Sequence, residues 1–128
     1  TDALGDNPVA AYTDSVRRCT KAFTRPGILD TILDYPLGRV PGRQALAVRA
    51  TDSVIHTWDL ARAIGGNEIP DTGLITWIDG NLAEIYAGLV ETPTSAETTH
   101  QFFAAPTATP DDHASTQDRL LIRFGRQP

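Results

Sequence analysis

From Arg43 to Ile64 the chain runs for 22 residues, RQALAVRATDSVIHTWDLARAI, without a glycine or a proline. Gly42 precedes this run and Gly65-Gly66 follows it. Helix interiors disfavour both residue types, one for its backbone entropy and the other for its missing N–H, so they mark natural ends. The segment therefore predicts one helix from about Gly42 to Ile64, and the remaining elements have to be arranged around it.

Residues 8–24, PVAAYTDSVRRCTKAFT, place Val9, Tyr12, Val16, Cys19 and Phe23 at spacings of three and four, one apolar helical face. Asn7 and Pro8 supply an N-cap and a first-turn proline, and Arg25-Pro26-Gly27 closes the helix. Arg17, Arg18 and Lys21 fall late in it, where they suit the negative end of the dipole. Residues 28–41, ILDTILDYPLGRVP, alternate loosely and contain Pro36 and Gly38, which reads as an irregular connector or a short hairpin.

Asp71 predicts the N-cap of a third helix reaching about Leu89, with Leu74, Ile78, Leu82, Ile85 and Leu89 as its buried stripe. Residues 91–112, ETPTSAETTHQFFAAPTATPDD, read as a long surface loop. Ser115 and Asp118 then form a capping-box-like start to a short last helix, TQDRLLIRF, closed by Gly125. The expected class is all-α, with three substantial helices and one short one, in a single domain over residues 1–128.

Composition narrows the functional classes. A net charge of -5 and the lack of a Lys/Arg cluster argue against a nucleic-acid surface. No apolar run approaches the roughly 18 residues of a membrane span. Cys19 is the single cysteine, so it forms no internal disulfide, and a reducing cytoplasm is the expected location. Cys19 itself reads as a small buried apolar residue. There is neither an internal repeat nor a glycine-rich phosphate loop.

One constellation carries chemistry. Asp52 and His56 are four residues apart and Asp59 is three beyond His56, so the three stack along one helical face. Carboxylate and neutral imidazole both bind zinc, nickel and similar ions, and the four-residue spacing lets two donors converge on one ion. The same pair also serves as a surface pair or as a satisfied buried hydrogen bond. Asp59 has two readings as well: an ion pair with Arg62, or a hydrogen bond that orients His56. Arg49, one turn before Asp52, could pair with it or contact an anionic substrate. Trp58 reads as core rather than as a substrate platform.

The stretch ATDSVIHTWDLARAIG and the closing QDRLLIRFGRQP, with its Leu-Leu-x-x-x-Gly-Arg pattern, resemble the DinB/YfiT-like superfamily. The likeness is strongest to the branch related to mycothiol-dependent maleylpyruvate isomerase, and DNPVAAY is similar to the start of that branch's third helix. The resemblance implies a helical bundle holding one divalent ion. Its ligands would be a His on the second helix and an acidic residue plus a His on the fourth. The last two carry over to Asp52 and His56; neither His100 nor His113 stands where the first should be, and nothing here is similar to the first two helices.

The resemblance thus implies a truncated bundle, a divalent ion (zinc or nickel) and a thiol cosubstrate such as mycothiol acting on a small electrophile. Asp59 would orient the ligand from behind, and Arg49 would at most touch substrate. A half-bundle exposes an apolar face, which predicts a homodimer, and a twofold dimer could also bring Asp52 and His56 of both chains towards one axis. The alternative is a non-catalytic helical interaction module with a vestigial metal site.

Overall fold

The computed structural model describes residues 5–36, 38–89, 103, 106 and 108–128. Its elements, in order, are α1 (Pro8–Phe23), β1 (Ile32–Tyr35), β2 (Gly38–Pro41), α2 (Gly42–Ile64), α3 (Thr72–Ile85) and α4 (Thr116–Arg123). Contacts divide the chain into two compact units, one up to Leu46 and one from Ala47 to Pro128, with the boundary inside α2. Among the described residues no helix is long and apolar enough to cross a membrane.

Three of the four helices among the described residues start at a capping side chain. Asn7 accepts from the Ala10 N–H at 3.0 Å, Asp71 from Leu74 at 2.8 Å, and Ser115 from Asp118 at 3.0 Å. Each satisfies an amide the helix cannot pair internally, worth about 1 kcal/mol against alanine.

In the first unit the 28–41 segment resolves into an antiparallel hairpin pairing Ile32 with Pro41, Leu33 with Val40, Asp34 with Arg39 and Tyr35 with Gly38. This corrects the all-α expectation: the chain is mostly helical with a small two-stranded sheet. Alternation puts half-buried Leu33 opposite buried Val40, while Asp34 and Arg39 pair at 3.3 Å in solvent. The start of α2 is tied back to the turn before the hairpin. Gly42 N–H donates to the Thr31 carbonyl and Arg43 N–H to Leu29, both at 2.9 Å. Gly42 is required there, since a Cβ would lie 2.1 Å from the Ile28 carbonyl oxygen.

The apolar face of α1 forms as the periodicity predicts, but it is not buried. Val9, Tyr12 and Val16 are 75%, 62% and 45% exposed, and Cys19 is half-buried rather than buried.

The second unit holds the larger core. Val48, Thr51, Val54, Ile55 and Trp58 of α2 are buried, as are Ile75, Ile78 and Ile85 of α3, Leu89 beyond it, and Leu120, Leu121 and Phe124 around α4. Fully burying each of Ile55, Ile78 and Leu120 contributes roughly 1.5–3 kcal/mol. Thr51, the buried polar residue of α2, is satisfied by its own helix, donating from Oγ1 to the Ala47 carbonyl at 2.9 Å. Trp58 is core, as expected.

Helix α3 ends at Ile85, a turn short of the expected Leu89. Gly88 adopts φ +68° and Leu89 N–H bonds the Tyr86 carbonyl, so buried Leu89 reaches the core from a turn. Leu74 and Leu82 are half-buried, and Ile75 takes the position expected of Leu74. The expected loop over 91–112 falls largely outside the described residues.

Candidate functional site

At 100° per residue, the buried positions of α2 occupy one arc of the helix. Arg49, Asp52, His56 and Asp59 fall within about 80° of one another at its edge. Asp52 and Asp59 are therefore half-buried while His56 reaches further into solvent. A rigid helix thus presents four polar side chains in a row, next to the core rather than opposite it.

The two ring nitrogens of His56 face different carboxylates. Nδ1 lies 2.9 Å from Oδ2 of Asp59, and Nε2 lies 3.4 Å from Oδ1 of Asp52. An ionised carboxylate only accepts, so the short contact places the ring proton of neutral His56 on Nδ1. Nε2 then keeps its lone pair and faces a second acceptor. Two acceptors turned toward one another repel unless a proton or a metal ion stands between them. Two donors held 2.0–2.2 Å from one ion at the tetrahedral angle lie about 3.3–3.6 Å apart, and the Asp52–His56 pair has that spacing.

The far oxygen of Asp52, Oδ2, accepts from Arg49 Nη1 at 3.2 Å. This is the first of the two roles open to Arg49. Asp59 bonds Arg126 rather than Arg62: Arg126 Nε donates to Oδ1 at 3.0 Å and Nη2 to Oδ2 at 2.5 Å. Arg62 turns instead to Glu68 at 3.2 Å and lies 4.9 Å over the Trp58 ring. The hydrogen-bonding reading of Asp59 therefore describes the geometry, and the ion pair with Arg62 is replaced. Bonding from Arg126 holds the Asp59 carboxyl below its ordinary value of 3.8, against the opposing effect of partial burial; the bond with His56 and the charge of Arg126 add to the lowering.

Two residues of this cluster were not anticipated as parts of a site. Arg126 belongs to the closing Gly-Arg of the sequence, a pattern visible there without a role. Gly125, at φ +78°, turns the chain after α4, and Arg126 N–H bonds back to the Leu121 carbonyl at 2.9 Å. Phe103 stacks beside His56 with centroids 6.0 Å apart and planes at 25°. It also meets Phe124 edge-on at 4.6 Å, and the Arg126 guanidinium lies 5.4 Å from its centroid. Its signal was the Phe102-Phe103 pair, the aromatic residues of an otherwise polar stretch.

His113 is exposed on the turn before α4, and His100 lies outside the described residues. Among the described residues no group of three or more His, Cys, Asp or Glu side chains is arranged to hold a metal. Asp59 does not make a third donor, because it occupies the opposite ring nitrogen. Among the described residues this helical face thus offers an ion two donors, a carboxylate and an imidazole, of the kinds that borderline ions such as zinc or nickel accept.

No family model and no solved structure matches this chain. Two proteins of Mycobacterium tuberculosis, uncharacterized protein MT0763 of strain CDC 1551 / Oshkosh and uncharacterized protein Rv0738 of strain H37Rv, are each 38% identical to it over 63 residues. The matched stretch takes in 49% of this chain and 35% of the length of each relative.

Proposed function

We propose that this chain is a DinB/YfiT-like protein of the maleylpyruvate-isomerase-related branch, acting in the cytoplasm, in which Asp52 and His56 hold one divalent ion, zinc or nickel. The observation that carries the reading is the opposed pair of acceptors, His56 Nε2 and Asp52 Oδ1 at 3.4 Å, with the other ring nitrogen committed to Asp59. When bound, such an ion lowers the pKa of a coordinated thiol or water and so supplies a nucleophile at neutral pH. The residues of this chain do the rest. Asp52 and His56 bind, Asp59 orients the imidazole, and Arg49 stands beside the ligand carboxylate where an anionic group of a small electrophilic substrate would meet it. Mycothiol or a similar small thiol is the proposed cosubstrate.

The test is metal analysis of untagged protein before and after incubation with zinc or nickel. Stoichiometric ion in the wild type and none in His56→Ala supports the reading. Equal metal content in both overturns it.

A second reading has its own observation, the exposed stripe Val9, Tyr12 and Val16 along α1. There the chain is a non-catalytic helical module that homodimerises, and the Asp52–His56 pair is vestigial. A dimer that carries no metal separates this reading from the first.

A further inference from the structure

We infer that Arg126 is a positioning residue for His56, acting through Asp59 so that the Nε2 lone pair of the imidazole is directed at Asp52. The inference rests on the metal-site reading for its affinity readout and on the geometry alone for its tautomer readout.

Two carboxylates compete for the single ring proton of neutral His56. Asp59 takes it on Nδ1 at 2.9 Å; Asp52 would take it on Nε2, from which it stands 3.4 Å away. In the first tautomer the Asp52–His56 pair is open to a cation. In the second, an N–H points at Asp52 and the pair is closed. An imidazole side chain in water samples both forms, so the structure must supply the bias.

Asp59 by itself is a poor source of that bias, because a half-buried carboxylate turns readily toward water. Arg126 removes that freedom. Its planar fork holds Oδ1 from Nε and Oδ2 from Nη2, which sets the carboxylate plane and leaves Oδ2 aimed at Nδ1. The fork is itself anchored. Nη1 donates to the Phe124 carbonyl at 2.6 Å, the side chain is 16% exposed, and the Phe103 ring lies beside both the guanidinium and His56. Lysine, a point charge without the fork, would keep the attraction and lose the plane. The turn after α4 is in this sense part of the site.

The experiment reads His56 directly. Protein labelled with 15N-histidine, free of metal and in mildly alkaline buffer, is examined by long-range 1H–15N correlation, with His56→Ala assigning the signal. The wild type should show the proton on Nδ1. Arg126→Gln should move His56 to the Nε2–H form or a mixture, and weaken zinc binding 10- to 100-fold in competition with a chromogenic chelator. Arg126→Lys should fall between. If Arg126→Gln keeps its helical circular dichroism and its Nδ1–H signal, the positioning role is overturned. If that variant loses its helical spectrum, Arg126→Lys is judged by the same criterion, and a wild-type signal in it overturns the role. A wild type that binds no zinc, with the tautomer still shifting in the variant, removes the metal reading and leaves the positioning role standing. A wild type that binds zinc, with an unmoved tautomer in the variant, does the reverse.

Discussion

His56 Nε2 and Asp52 Oδ1 lie 3.4 Å apart, long for a charge-assisted hydrogen bond and suited to two donors on one ion. The spacing follows from one turn of α2 and from a ring whose other nitrogen is committed elsewhere. Under the proposed metal reading, an ion would meet both donors already in place on one helix. Preorganisation of this kind lowers the ordering cost of association.

The first prediction concerns those two donors. His56→Ala should abolish stoichiometric zinc binding measured by titration calorimetry. Asp52→Asn should reduce it by a smaller factor, because the amide oxygen keeps the shape but not the charge. Binding should also weaken on acidification, since ligation needs the neutral ring. An Asp52→Asn protein that binds less zinc than His56→Ala would reverse the assigned order.

The second concerns pH and Asp59. Its folded carboxyl titrates below the ordinary value of 3.8, chiefly through Arg126. A depressed carboxyl stabilises the fold fully above the unfolded value, and that contribution is lost as pH falls through the folded value. Wild type should therefore melt above Asp59→Asn near neutral pH, and the gap in Tm should close as pH drops below about 3.8. A gap that stays constant down to the acid limit would show that the Arg126 contact contributes through shape rather than charge.

The helix starts were legible in the sequence because capping is local: Asn7, Asp71 and Ser115 each act on an amide three residues away. The hairpin was legible only as an alternative, since Pro36 and Gly38 break the alternation that would have declared it. Within the site, the Asp52–His56–Asp59 row followed from helical periodicity. The Arg126–Asp59 contact spans 67 residues, and no periodicity reaches that far. Sequence proximity favoured Arg62 as one partner for Asp59, but the fold gives Arg62 to Glu68 and Trp58.

The third prediction tests the junction of hairpin and helix. Gly42→Ala places a methyl 2.1 Å from the Ile28 carbonyl oxygen, a backbone atom that cannot swing aside. The turn at 27–31 must shift, weakening the bonds from Gly42 to Thr31 and from Arg43 to Leu29. Overpacking of this kind costs about 1–3 kcal/mol, measurable by urea unfolding. A wild-type midpoint in Gly42→Ala would mean that this approach is looser than the structure has it.

The last prediction is assembly. Helix α1 has 16 residues, a length at which an isolated helix is marginal in water, and it has no buried residue. Its stripe of Val9, Tyr12 and Val16 therefore gains by burial against another surface, and a second copy supplies the same stripe across a twofold axis. Size sets the strength. A 16-residue helix is about 24 Å long, and a face about 10 Å wide covers on the order of 240 Å², well short of the roughly 800 Å² per partner in a standard interface. A dimer made through α1 alone should accordingly be weak, with a dissociation constant in the micromolar range or above. Sedimentation equilibrium across that range should show wild type passing from monomer to dimer. Val16→Asp, which puts a charge into the stripe without touching α2, should remain monomeric while keeping the zinc stoichiometry of the wild type. If both proteins sediment as the same monomer at every concentration, α1 is not a dimer surface. If Val16→Asp loses its zinc along with the dimer, the site is shared between two chains rather than complete in one.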